Sequence, residues 1–600
     1  MVSLETAWTP GPETIERSHL TRVMSHLGLD GYDELHRWSV EDVDGFWSLV
    51  LDELSITFGV PPSAIRGSTD DRRPDWLPDA RFNIVDSCLD GPEDAPAIIW
   101  GSPAGTTTWS VGDLRIAVAQ FAAGFSEAGH VPGDRIAIAM PMTPEAVVAY
   151  LGTIAAGGVV VSIADSFSAD EMRARLAITD PGAVVTSDVA LRTGKVLPMY
   201  EKVADATNAP CIVIDSGADM ALRGSDVYWH SFLGADRDLA TVARPASAHT
   251  NILFSSGTTG VPKAIPWTQT TPIKAAMDGR FHCDIHRGDV VAWPTNLGWM
   301  MGPWLIYAAL LNDAAIALFH DAPTTEGFVE FVDDAGVTML GLVPSIVAVW
   351  RGRGLLTPDQ WTNVRVIAST GEASSPDDYA WLMHIAGDIP VIEYCGGTEI
   401  GGGYITGTVL HPATPSRFTT PALGIDIVVM GDAGSPTEVG EAFLVPPSMG
   451  MSTELVNRDH DDVYFAGTPD GLRRHGDRIA RFDDGTYRAL GRVDDTMNLG
   501  GVKVSSAEIE DVVATIGGIE EVAAVGVAPE DGGPQRLVVF VVVGDGDAPD
   551  VTRLRDEVRQ VVRSRLNPLF RVHDVVVVDA LPRTASHKVM RRVLRDEYRP

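Results

Sequence analysis

Cysteine is scarce in this chain: four in 600 residues, Cys88, Cys211, Cys283 and Cys395, all far apart. No CxxC pair occurs, so neither a zinc site nor a disulfide framework is indicated, and reduced cytosolic thiols are the expectation. Basic residues are also in deficit. Lys and Arg number 46 against 81 Asp and Glu, a formal net charge of −35. This surplus argues against nucleic acid or anionic membrane as a partner of the general surface. Adaptation to salt is another cause of such a charge. No run of about 18 apolar residues is present, so no membrane insertion is expected. The opening MVSLETAWTPGPETIERS carries acids and no apolar core, unlike a secretory signal. The terminal DEYRP matches no peroxisomal tripeptide, which leaves a cytoplasmic location as the expectation. Internal repeats and low-complexity tracts are missing. The acidic stretch Gly544–Asp550 lacks the spacing and closing Glu of an EF-hand.

What remains is the composition of an ordinary globular protein, 45% hydrophobic and 21% charged. The length suggests about four domain-sized units, some of which can merge in large α/β folds. Residues 1–78 read as a helical N-terminal segment. In SVEDVDGFWSLVLDEL, Ser39 is the expected N-cap and Val43, Phe46, Trp47, Val50, Leu51 and Leu54 fall at helical spacing. Residues 79–493 alternate short apolar runs with amphipathic stretches: Arg135–Met140, Val159–Ile163 and Ala183–Ser187 as strands, Asp113–Ala128, Pro144–Ala156 and Ala169–Thr179 as helices. Val337–Val343 and Val364–Ala368 are further buried strands. Residues 494–600 change pattern, with helices from Ser505–Ser506 and over Val551–Leu566 around strands at Val522–Val527 and Leu537–Val543. The expected fold is α/β: a large N-terminal domain of parallel-rich sheets flanked by helices, plus a small, mobile α+β C-terminal domain.

The stretch Phe254–Ala264, FSSGTTGVPKA, holds two Ser, two Thr, two Gly and one Lys, and no acid. In so acidic a chain, this composition favours an anion. Glycines let backbone N–H groups approach a ligand, hydroxyls donate, and Lys263 adds positive charge. GxxxxGK[ST] does not occur, so this is not a Walker A loop. An ordinary surface turn is the competing reading.

Further segments stand in a telling order: Gly371-Glu372-Ala373; Glu393–Glu399 (EYCGGTE); His475-Gly476-Asp477; Gly491-Arg492-Val493-Asp494-Asp495; and Leu581–Arg592 (LPRTASHKVMRR). With the Ser/Thr/Gly stretch, they make the whole chain resemble the adenylate-forming superfamily of acyl-CoA synthetases, adenylation domains and luciferases. The resemblance implies that Ser255, Ser256, Gly257, Thr258, Thr259, Gly260 and Lys263 wrap the β- and γ-phosphates of ATP. It implies that Gly371, Glu372 and Ala373 meet adenine, with Glu393, Tyr394 and Cys395 nearby. Cys395 stands where relatives carry an aromatic and Tyr394 one residue earlier; which of the two faces adenine stays open. Thr398 would bond the α-phosphate, Glu399 would hold Mg²⁺, Asp477 the ribose hydroxyls, and Arg492 ribose or phosphate. Asp494 would be the hinge. Lys588 would be the catalytic lysine, with His587 in place of the usual Gly and Arg583 in place of the usual Lys.

The branch resembled is the acetyl-CoA-synthetase-like one, through YDELHRWSVEDVDGFW and FNIVDSCLD, which points to coenzyme A as acceptor. Arg192 and Lys195 of LRTGK, with Gly500, Gly501 and Lys503, are the expected CoA contacts. Gly396 and Gly397 stand where the acetate enzymes place a Trp, which predicts more room for the acyl group. Trp299, Met300 and Met301 are its expected apolar walls. The expected activity is an ATP-dependent, AMP-forming acid–CoA ligase for a carboxylate larger than acetate, medium-chain or aryl. Loading a carrier-protein thiol and a non-catalytic nucleotide-binding homologue are the alternatives. The expected partners are small molecules, and the chain is a monomer or homo-oligomer.

Overall fold

Short apolar runs that stay hydrophobic at consecutive positions make the strands of this protein, because sheets covered on both faces give no alternation. The structure is a computed structural model that describes residues 6–218, 220–255, 261–431, 434–469, 471–493, 496–529, 532–543, 551–583 and 589–598. Two seven-stranded sheets dominate it. One runs in the order Val227–Tyr228, Cys211–Ile214, Ala183–Ser187, Arg135–Ala139, Val159–Ile163, His249–Ser255, Lys263–Thr268. All its pairings are parallel except the last, where Lys263–Thr268 returns antiparallel. The other runs Val391–Glu393, Val366–Ser369, Met339–Leu342, Val290–Ala292, Ala315–Phe319, Pro96–Ser102, Gly105–Ser110, again parallel until a final antiparallel strand.

One hydrophobic cluster joins the two sheets, taking Ile136 and Ile138 from one and Val291 and Ile316 from the other. Helices Pro144–Ala155 and Met301–Leu310 belong to it, and every residue along them except the half-exposed Glu145 is buried. The same cluster reaches Phe46, Trp47 and Val50, so the N-terminal helices share the core of the large domain. There the sequence expectation needs one correction. Ser39 lies inside the helix Tyr32–Glu41, and the next helix, Val43–Glu53, is capped by Asp42, whose side chain accepts from the Gly45 amide. Ser39 instead donates to His36 at 2.7 Å and accepts the Gly424 amide at 3.0 Å. A buried hydroxyl with two main-chain partners is worth more to the chain there than at a helix end.

After these sheets comes a four-stranded antiparallel sheet, Asp426–Met430, Val439–Val445, Arg473–Arg481 and Tyr487–Arg492. The sequence pattern read parallel units to about residue 430 and gave no account of this sheet. The small domain opens on a hairpin, Thr496–Leu499 with Val502–Ser505. Its two turn residues, Gly500 and Gly501, have φ of 61° and 78°. A two-residue hairpin loop with both residues left-handed is the geometry that Gly-Gly supplies. The helix Ser506–Val513, capped by Ser505 with Glu508 completing the capping box, follows. Three strands (Ile519–Val527, Arg536–Val543, Val572–Val577) and the helix Val551–Arg565 complete the main layer.

Behind the site lies a charged pair with no access to water. Lys274 and Asp278, one turn apart on helix Thr271–Phe281, have side chains 0% exposed, 2.5 Å apart. Asp278 also accepts the Tyr394 hydroxyl at 2.6 Å and the Gly403 amide at 2.8 Å, and Lys274 donates to the Gly403 carbonyl at 3.2 Å. Removing one partner would leave the other charge buried and unpaired. Asp278→Ala is therefore expected to cost about 3–5 kcal/mol. Thermal unfolding of the large domain should register this as a fall in midpoint. A midpoint unchanged from the parent would show that the pair does not hold this region.

Candidate nucleotide and acyl site

The site is built where ends of several sheets meet. Strand His249–Ser255 runs into Ser256, Gly257, Thr258, Thr259 and Gly260, which lie outside the described residues, and Lys263 begins the returning strand. The buried Ser255 hydroxyl has no partner among the described residues. Asn457 holds the returning strand, donating to the Pro262 carbonyl at 2.9 Å and accepting the Ala264 amide at 3.0 Å. Lys263 sits 5.2 Å from the Tyr464 ring centre.

Thr398 and Glu399 occupy a single 3₁₀ turn between strands Cys395–Gly397 and Gly402–Thr406. The turn is pinned through its main chain. The Trp267 indole donates to the Thr398 carbonyl at 2.8 Å, and the Ser452 amide to that of Glu399 at 2.7 Å. His475 lies between two carboxylates: Nδ1 is 3.7 Å from Glu399 and Nε2 3.2 Å from Asp477. Burial works against ionising Glu399, but attraction to His475, Lys263 and Lys503 overcomes it and holds the carboxyl well below its usual range. Asp477 follows the same logic, with burial outweighed by His475 and Arg492. The neighbouring strands pair Asp477 with Arg492 in register, and the guanidinium donates to Asp477 at 3.0 Å and to the His475 carbonyl at 2.8 Å. The Tyr404 hydroxyl donates to the other Asp477 oxygen at 3.0 Å. Such a carboxylate, fixed and ionised, can accept from a pair of sugar hydroxyls. An ionised carboxylate at Glu399 is a hard oxygen donor of the kind magnesium takes along with phosphate oxygens and water.

A model of the AMP-binding enzyme family matches residues 86–447. The chain belongs to the AMP-binding enzyme family. Models of the AMP-binding enzyme C-terminal domain and of the acetyl-coenzyme A synthetase N-terminus match residues 508–588 and 32–88. Among curated relatives, the chain is 43% identical to "Probable acyl-activating enzyme 17, peroxisomal" of Arabidopsis thaliana, over 98% of this chain and 88% of that one. It is 41% identical to "Hexanoyl-CoA synthase" of Cannabis sativa, over 99% and 88%. An acetyl-coenzyme A synthetase of Photobacterium profundum is 29% identical, over 95% and 92%. Among solved structures, acetoacetyl-CoA synthetase from Streptomyces lividans superposes with a TM-score of 0.77 at 27% identity, covering 98% of this chain and 95% of that one.

Within that family frame, several expected site residues stand together: Lys263, Cys395, Thr398, Glu399, Asp477, Arg492 and, from the small domain, Lys503, whose charge acts on Glu399, Asp477 and Cys395. Others need correction. Tyr394 turns into the core, away from the Glu399–Asp477 cluster. Its ring is 2% exposed, 5.9 Å from Trp304, and its hydroxyl is spent on Asp278, whereas Cys395 is half-exposed. The Cys395 thiol lies 3.4 Å from the Tyr404 hydroxyl and 3.6 Å from Asp477. Glu393 is buried on Ser374. The Glu372 side chain turns to the small domain, accepting the Ser345 amide at 3.0 Å and the Gly501 amide at 2.9 Å, while Ala373 is exposed.

At Gly396 and Gly397, where room for the acyl group is expected, an added side chain would meet close neighbours. A Cβ on Gly396 would lie 2.0 Å from the Gly402 carbonyl, and one on Gly397 would lie 2.8 Å from the Glu399 carboxylate. At Gly396 the near neighbour is the facing strand, and at Gly397 it is the Glu399 carboxylate with the His475 ring. Trp299 packs edge-on to Phe167 at 5.1 Å and also touches the small domain's core, while Met301 is buried and Met300 half-buried. Arg192 pairs with Asp165 at 2.8 Å and Lys195 is exposed at the end of its hairpin. Asp494 and Lys588 lie outside the described residues. Sequence reasoning quoted His475 but gave it no role, and it passed over Tyr404, Trp267 and Asn457. Only His475 sat in a recognisable motif.

Glu393 supplies a pH test. Burial, opposed only by the Ser374 hydroxyl, pushes its carboxyl from 4.5 up to about 7. A carboxyl raised in the folded state favours folding below its unfolded value and loses that advantage as pH rises through the folded one. The window is therefore about pH 4.5 to 7. Ionisation there costs on the order of 3 kcal/mol at pH 8. Glu393→Gln should melt above the parent at pH 8 and match it below pH 5, in thermal scans without ligands. A difference independent of pH would overturn this assignment.

Proposed function

We propose that this protein is an AMP-forming acid–CoA ligase acting on a carboxylic acid larger than acetate, with MgATP and coenzyme A as its other reactants. The observation that carries the reading is the Glu399–His475–Asp477–Arg492 cluster: two buried ionised carboxylates facing cations from both domains. A triphosphate with its sugar needs that arrangement of acceptors and positive charge, and so does an acyl-adenylate. In the first step the acid's carboxylate oxygen attacks the α-phosphorus, and pyrophosphate leaves. In the second the CoA sulfur attacks the acyl carbon and AMP leaves with the bonding electron pair.

Asp477 would hold the ribose hydroxyls, Arg492 the ribose or phosphate, and Thr398 the α-phosphate. Lys263, with Ser255, Ser256, Gly257, Thr258, Thr259 and Gly260, would hold the departing pyrophosphate oxygens. Glu399 would hold magnesium, which supplies charge neutralisation on the phosphates when bound. Lys588 would offset charge gathering between carboxylate and α-phosphate, as fixed cations do in polar transition states. The small domain would then rotate about Asp494, taking Lys588 away and presenting Gly500, Gly501 and Lys503. The units proposed are 1–78, 79–493 and 494–600.

An acid larger than acetate is supported by the relatives. Those above 40% identity are named for acyl activation and hexanoyl-CoA synthesis, whereas the acetyl-CoA synthetases stand at 28–30%. A medium-chain acid fits Trp299, Met300 and Met301 as apolar walls. Among the described residues no helix is long and apolar enough to cross a membrane. The four cysteines are unpaired, which suits a reducing compartment, and cytoplasm is the location proposed.

A pyrophosphate-release screen over acid chain length, with and without CoA, tests the reading. Hexanoate-sized acids should exceed acetate in kcat/KM by at least about tenfold, since each added buried methylene contributes about 0.8 kcal/mol. Acetate as the best substrate would refute the acid assignment. Lys588→Ala should abolish pyrophosphate release yet leave CoA-dependent conversion of supplied acyl-adenylate. Equal loss of both would refute the division of labour between domains.

A further inference from the structure

The segment Gly371-Glu372-Ala373 meets the small domain more closely than any adenine role requires. Gly371 is left-handed, with φ of 94°, and a Cβ there would lie 3.4 Å from Gly501 Cα. The Gly501 amide donates to Glu372 Oε1 at 2.9 Å, and the Ser345 amide to Oε2 at 3.0 Å. Both carboxylate oxygens are thus taken by main-chain donors, one from each domain. Val343 lies under the same turn, 3.2 Å from where a Gly501 Cβ would stand, and Leu569 backs Gly500 at the same distance. A second contact stands nearby, where a Cβ on Gly532 would lie 3.1 Å from Pro376 and 3.5 Å from the Ser374 carbonyl. The hairpin held in this way is the one that carries Lys503 to Glu399 and Asp477.

We propose that Glu372 is a positioning residue for thioester formation: its carboxylate docks the Gly500–Gly501 turn and so sets Lys503 and the thiol approach over the nucleotide site. The inference rests on the two-step ligase reading. On that reading Gly500, Gly501 and Lys503 are presented after Lys588 is withdrawn, and we assign the Glu372–Gly501 bond to the arrangement of the second step. A hydrogen bond to a charged acceptor contributes more than a neutral one, and a carboxylate short of donors in a partly closed site is expensive. Burial does raise the Glu372 carboxyl, while the Ser345 and Gly501 donors act against that. Undocking costs Glu372 the main-chain donors of the Gly500–Gly501 turn, and docking restores them.

The test uses the full chain and measures the half-reactions apart: pyrophosphate release from MgATP and hexanoate without CoA, and AMP release from synthetic hexanoyl-adenylate with CoA. Glu372→Ala should lower the ratio of the second rate to the first by at least about tenfold, as loss of a charged hydrogen bond would. Glu372→Gln keeps an acceptor oxygen and nearly the same volume, and should recover part of that loss. An equal fall in both rates for the Gln variant, or an unchanged ratio for both variants, overturns the proposal. If the unmutated protein itself fails to turn hexanoyl-adenylate and CoA into AMP, the ligase reading falls instead, whatever Glu372 does.

Discussion

The Thr398–Glu399 turn depends on a buried ion pair that takes no part in chemistry. Lys274 and Asp278 grip the strand that follows the turn at both the amide and the carbonyl of Gly403, and Asp278 also takes the hydroxyl of Tyr394, which leads into the strand before it. Burying two charges in this way earns little stability, because desolvation offsets their attraction. What the pair supplies is register. Five groups satisfy one another in one arrangement only, and sliding the strand by a residue would strand a charge in the core. A Cβ on Gly402 would lie 2.3 Å from Asp278 Oδ2, so glycine there is the consequence of how near the pair lies to the backbone. Trp267 and Ser452 then fix the turn from its other side.

Electrostatics complete the site on that frame. A chain of net charge −35 must concentrate cations locally if it is to hold a polyphosphate. Here they converge from three directions: Lys263 from the first large sheet, Arg492 from the antiparallel sheet and Lys503 from the small domain. Their influence, with that of His475, keeps Glu399 and Asp477 ionised despite burial. The cations hold both carboxylates in the charged form, so the acceptors are prepared before any ligand enters.

Much of this was legible in sequence, and the rest was hidden for physical reasons. Strands Val159–Ile163 and Ala183–Ser187 announced themselves because doubly covered strands are continuously apolar. Ser505 and Glu508 were readable as a helix start, since capping is local. Ser39 misled because a hydroxyl before acids looks like a cap, and its real partner, Gly424, is distant in sequence. Strands 426–492 alternate charged and apolar residues in an antiparallel sheet, a weaker signal than the runs before them. Motif order brought Asp477, Arg492 and Glu399 to notice, but no motif could say that Tyr394 faces inward and Cys395 outward, because that choice belongs to Asp278, more than a hundred residues earlier.

Gly396 and Gly397 stand in close contact with their surroundings, and a second expected wall of the acyl site, Trp299, stands at the border of the two domains. Trp299 packs on Phe167, whose ring lies under Arg175 at 3.9 Å, and it touches the small domain's own core. The flanking serines of Phe167 reach the same domain, Ser168 to the Arg565 carbonyl at 2.7 Å and Ser166 to Asn567 at 3.1 Å. In the proposed acyl site, the Trp299 wall is thus shared with the domain interface. A side chain held by two domains is positioned by both, so in the proposed acyl site the wall facing the acid and the placement of the small domain rest on the same contacts.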